Sequence, residues 1–179
     1  MRTIGRLAIL VLALVPMDGC GAHVMPPVDV TASAIKTSEH FQFAFDAKGV
    51  QIYRCQATPT GEGFEWHFIA PEAVLFDRQN QVVGKHYAGP TWEATDGSRI
   101  VAKLKAQAPA AEANAIPWLL LETVTSKGPG LLSGITTVQR INTVGGIAPT
   151  EMCQETLIGT ERRVPYRATY YFYGSSAKN

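Results

Sequence analysis

From Val50 onward the apolar residues recur at every second position, a period that fits a pleated strand and not a 3.6-residue helix. Val50-Gln51-Ile52-Tyr53-Arg54-Cys55 alternates, as does Phe64-Glu65-Trp66-His67-Phe68. Val74-Leu75-Phe76 ends at the turn Asp77-Arg78-Gln79-Asn80, and Val82 to Tyr87 resumes the pattern. Arg99 to Lys105 is a half-buried strand with Lys103 and Lys105 on its wet face. Trp118-Leu119-Leu120-Leu121 opens a segment apolar on both faces, as a central strand requires. Ile135 to Val144 and Val164 to Tyr173 complete the series. Strands this short and numerous, joined by Gly, Pro, Asn and Asp turns, predict an all-β domain: a single antiparallel β-sandwich or barrel over residues 45–175. Helical turns have room only at Pro109 to Asn114 and around Gly128 to Ser133.

The N-terminus differs from this pattern. Arg2 and Arg6 precede the apolar run Leu7 to Val15 and then small residues, the three parts of an export signal. The run is far short of the roughly 20 residues that span a bilayer, so a cleaved signal is expected over residues 1–19. Two cuts fit. Met17-Asp18-Gly19-Cys20 resembles a lipobox, in which Cys20 is acylated and tethers the protein to a membrane. Cleavage after Ala22 instead releases a free protein beginning at His23. The lipid anchor is the reading adopted, with residues 20–44 as a Pro-containing spacer and the domain periplasmic or on the cell surface.

Either cut accounts for the odd cysteine and leaves Cys55 and Cys153, which form a disulfide by default in an oxidising compartment. Neither has the close Cys or His companions of a zinc site. Removing residues 1–19 takes away Arg2, Arg6 and Asp18 and leaves fourteen basic and fourteen acidic residues. A chain with no net charge is a poor partner for nucleic acid, so none is expected.

The densest cluster of chemistry is HYAGPTWEATDGSR, His86 to Arg99. Asp96-Gly97 is a strong hairpin signal and Gly89-Pro90 marks a bend, so part of the stretch is architecture. His86, Tyr87, Trp92 and Glu93 are the residues expected to converge on one mouth of the domain, with Trp118 and Arg140 contributing. Arg140 shares an alternation phase with Val138 and Asn142, which allows an inward arginine paired with Glu93 or Glu122, or a solvent-facing one. On the last strand Val164, Tyr166, Ala168, Tyr170 and Phe172 fall on one face, and Arg167, Thr169, Tyr171 and Tyr173 on the other. Either both faces are buried or one meets a partner.

The blocks GVQIYRC, W-x-F-x-x-P, VGKHYAGPTWEATDGSRIV, IPWLLL, TTVQRINTVGGIAP-x-x-x-C and VPYRATYYFY, taken in order, resemble the exported bacterial and fungal domain-of-unknown-function family numbered 3455, from about Phe41 to Tyr173. The resemblance implies an exported domain and assigns no activity. Some members bear the label malate dehydrogenase, but this chain has neither a strand-GxGxxG-helix unit nor a β-α alternation. No Gly-x-Ser-x-Gly elbow or His-Glu-x-x-His pair is present, and no cofactor is expected. The expectation is therefore a non-catalytic binding module for a small molecule, glycan or envelope component. The competing one is a secreted enzyme, with or without a metal, using His86 with Glu93 or Asp96.

Overall fold

The computed structural model describes residues 33–174. The export signal, Cys20 and His23 lie outside them. Eight antiparallel strands follow one another around a closed ring, each hydrogen-bonded to its neighbours in sequence: β1 (His40–Ala57), β2 (Phe64–Phe76), β3 (Val82–Tyr87), β4 (Thr91–Ala94), β5 (Arg99–Ala108), β6 (Trp118–Lys127), β7 (Ile135–Gly145) and β8 (Glu161–Gly174). The first and last strands close it, paired from His40 opposite Gly174 to Arg54 opposite Glu161 with one irregularity between Phe41 and Phe43. Of the two architectures the alternation allows, the fold is the barrel.

Period two turns one face of every strand inward. Phe45, Ala47, Leu75, Trp92, Ile100, Ala102, Leu121, Val138, Tyr170 and Phe172 form the principal core. Small residues sit where strands crowd: a Cβ on Gly49 would collide with the Glu72 carbonyl, and one on Gly84 with that of Glu93. The outer wall carries cross-strand ion pairs, including Arg54 with Glu161 at 2.6 Å, Arg163 with Glu72 at 2.8 Å and Lys103 with Glu122 at 3.3 Å. Exposed pairs of this kind contribute less than about 1 kcal/mol each.

One part of the outer wall is covered. Tyr171 and Tyr173 of β8, Ile141 of β7 and Leu120 of β6 form a second apolar cluster with Ile35 from the 3-10 turn Ser33–Ile35, and Phe41 and Trp118 pack against it. Gln139 fixes this cover by donating from Nε2 to the Ile35 carbonyl at 2.8 Å, and its Oε1 accepts from the Tyr173 hydroxyl at 3.0 Å. The last strand is thus buried on both faces from Tyr170 to Gly174, while Arg167 remains exposed. Residues 33–44, on the spacer side of the boundary drawn from the sequence, comprise this cover and the start of β1.

Cys55 and Cys153 are joined, with Cα atoms 5.5 Å apart across 98 residues of chain, and bind the loop after β7 to the wall at β1. By the chain-entropy relation a loop of that length confers about 4–5 kcal/mol. The segments at 109–114 and 128–133 are turns and bends, and the second 3-10 turn lies at Glu155–Leu157.

Candidate functional site

The ends of the barrel differ. One is plugged by the loop between β6 and β7, whose Leu132 is buried in the principal core. Asp96 and Ser98, in the β4–β5 turn, secure the plug. Asp96 Oδ1 accepts from the Ser98 amide and hydroxyl and Oδ2 from the Leu131 amide at 2.7 Å, while Ser98 Oγ accepts from the Leu132 amide at 3.1 Å. These donors hold the Asp96 carboxyl below its ordinary pKa, the Ser98 hydroxyl most strongly. The Asp-Gly signal is therefore a structural corner.

The other end holds a cavity of about 300 Å³. His86, Trp92, Leu119, Leu121, Arg140 and Tyr170 line it in depth, and Phe68, Ile69, Pro90 and Leu104 are nearer the opening. Phe68 and Leu104 are each more than half exposed. Both lie beside register shifts, in the β1–β2 and β5–β6 pairings. Such irregularities re-aim side chains that strict alternation would place otherwise.

His86 pairs with Trp92 across β3–β4, and the rings stack with centroids 4.4 Å apart and planes 18° from parallel. Tyr170 meets both, edge-on to Trp92 at 5.4 Å. The His86 Nδ1 lies 2.8 Å from the Thr91 carbonyl, which only accepts, so Nδ1 carries the proton and Nε2 is left as an acceptor. Complete burial pushes the His86 pKa down to about 3, with the Thr91 bond opposing and the Arg140 charge assisting. The ring is neutral at pH 7.

Arg140 faces inward, in register with Leu119 of β6 and Tyr170 of β8. It is 9% exposed, and its Nε and Nη2 donate to the Pro117 carbonyl at 3.2 and 2.8 Å. Neither glutamate suggested by the sequence reaches it. Glu93 accepts from Tyr87 Oη at 2.6 Å and pairs with Lys85 at 3.1 Å, and Glu122 pairs with Lys103. The guanidinium is surrounded instead by neutral hydroxyls: burial raises the pKa of Tyr53, Tyr166 and Tyr170, and the Arg140 charge only partly offsets this. The Tyr166 and Tyr170 hydroxyls are 3.3 Å apart. The Trp92 Nε1 is buried with no acceptor among the described residues.

The structure brings together three of the six candidates from the sequence: His86, Trp92 and Arg140. Tyr87 and Glu93 are each adjacent in sequence to one of these and so lie on the opposite, outer face, where their hydrogen bond and Lys85 hold the Glu93 carboxyl below its ordinary pKa. Trp118 belongs to the covered outer cluster. No hydrogen bond or ion pair joins His86 to Glu93 or to Asp96, which secures the plugged end. Among the described residues no three His, Cys, Asp or Glu side chains gather as a metal would require. Tyr170 was legible as an in-phase inward residue; Phe68 and Leu104, displaced at irregular positions, carried no signal.

An eight-stranded meander is just wide enough for side chains to fill, or to hold one small ligand. This one does both, filled at one end and hollow at the other, which defines it as a closed barrel with a cavity open at one end. The chain belongs to the family described as Protein of unknown function (DUF3455), whose model matches residues 36–174. No curated protein and no solved structure matches it.

Proposed function

We propose that the protein is a non-catalytic binding module that takes up one small, largely apolar molecule in the cavity bounded by His86, Trp92 and Arg140. The observation that carries this reading is the cavity itself: about 300 Å³ left unfilled at one end of the barrel, with apolar walls and an exposed apolar rim. That volume lies at the lower end of the range for ligand sites and suits a short acyl or aryl compound better than a glycan chain. The neutral His86, held by Thr91 and lacking a carboxylate partner, supports binding over acid-base chemistry.

On the same reading the protein is exported and held at a membrane by a lipid on Cys20. Support comes from the Arg2 and Arg6 front, the short apolar run and the small residues before Cys20. The Cys55–Cys153 bond suits an oxidising compartment.

The three tryptophans make the test direct. Trp92 lines the cavity, Trp118 packs in the covered outer cluster, and Trp66 bonds through Nε1 to the Glu151 carbonyl at 2.7 Å. Titration of the ¹⁵N-labelled domain with octan-1-ol is expected to shift the Trp92 indole N–H resonance and leave the other two in place. An unmoved Trp92 signal at saturating alcohol would sink the proposal.

A further inference from the structure

The cavity holds a cation to which no described residue supplies a counter-charge. Arg140 is nine-tenths buried, and two of its five N–H donors are spent on the Pro117 carbonyl. The Tyr170 hydroxyl is a further, neutral partner, and no carboxylate among the described residues pairs with Arg140. The remaining cavity lining is uncharged: Phe68, Ile69 and Leu104 toward the opening, His86, Trp92 and Tyr170 deeper in. A buried guanidinium without a counter-charge is a standing cost to the folded state, because desolvation is only partly offset by neutral partners. It persists at a binding site when the ligand supplies the missing charge.

Resting on the reading of the cavity as a ligand site, we infer that the ligand is an amphipathic monocarboxylic acid, its carboxylate on Arg140 and its short acyl or aryl body against the apolar walls. One planar guanidinium matches one carboxylate. A doubly charged phosphate would bring a second negative charge, and His86 is neutral and offers Nε2 only as an acceptor. A body that fits about 300 Å³ is of medium length.

The test compares octanoate, octan-1-ol and octylamine at pH 7 by calorimetry, with the Trp92 indole resonance as the local reporter. Octanoate is expected to bind at least tenfold more tightly than octan-1-ol, and octylamine more weakly than either. Arg140→Met should bring octanoate down to the level of the alcohol while alcohol binding persists, which also shows that the variant is folded. Arg140→Lys should retain part of the preference. Equal affinity of acid and alcohol in the wild-type protein, or an acid preference that survives Arg140→Met, overturns the carboxylate while leaving the cavity reading intact. If neither compound moves Trp92, the cavity reading falls and the inference with it.

Discussion

The plugged and open ends of this barrel are built from the same strands and obey opposite rules. At the plug, the polar side chains that secure it are matched: both oxygens of Asp96 accept, and the Ser98 hydroxyl donates to one neighbour and accepts from another. At the open end, among the described residues, Arg140 has no counter-charge and the Trp92 Nε1 has no acceptor. Buried charges ordinarily find a counter-charge, and the proposed carboxylate would supply the one that Arg140 lacks among the described residues. On the proposed reading, one end is optimised for shape and the other gives up stability for recognition.

Three substitutions would break or sharpen that contrast. The largest effect belongs to the plug: Leu132→Ala should lower stability by about 3 kcal/mol, as for other buried leucines, with ligand affinity at the far end preserved. A denaturation midpoint together with an octan-1-ol titration decides it, and a parallel loss of affinity would mean the ends are not independent.

His86→Phe comes next and is read through pH. The folded-state pKa of about 3 lies below the unfolded value of 6.5, so the native protein binds fewer protons between those limits. Stability present above pH 6.5 therefore drains as the pH falls toward 3. Between pH 6.5 and 4.5 the wild-type protein should lose about 2 kcal/mol more than the phenylalanine variant. Matching slopes would show that burial of this ring is not what drives the acid sensitivity.

The smallest effect has the opposite sign. Without ligand, Arg140→Met should be more stable than wild type by about 1 kcal/mol, because it removes a buried charge that no described carboxylate balances. Thermal unfolding of the two proteins checks this. Destabilisation would mean that the bonds to Pro117 hold the mouth together, making Arg140 structural.

Much of this was legible in the sequence because the barrel wall has period two. The strands, the paired cysteines and the Asp96-Gly97 corner follow from alternation, residue count and turn chemistry. Closure of the ring was not legible, since it depends on β1 meeting β8, a pairing no local pattern encodes. The candidate site was half legible. Alternation separates His86 from Tyr87 and Trp92 from Glu93, so the four cannot share a face, although grouping by chemistry suggests that they do. Arg140 was undecided because Val138 argues for the inside and Asn142 for the outside. A register shift after Ile141, where Asn142 adopts a positive φ of 51°, turns Asn142 outward and Thr143 inward and reconciles the two. Trp118 looked like a site residue because the segment that covers it lies about eighty positions earlier in the chain.

Closure by the first and last strands also sets an order of events. Until Glu161 to Gly174 has been made and docked, the eighteen residues of β1 present an unpaired edge, long and rich in β-formers, the kind of template on which chains join one another. In the finished ring that edge is paired with β8 from His40 to Arg54. The hazard in the life of this protein therefore lies in the interval before its last strand arrives, and the covered outer face of that strand commits the chain to a single partner once it does.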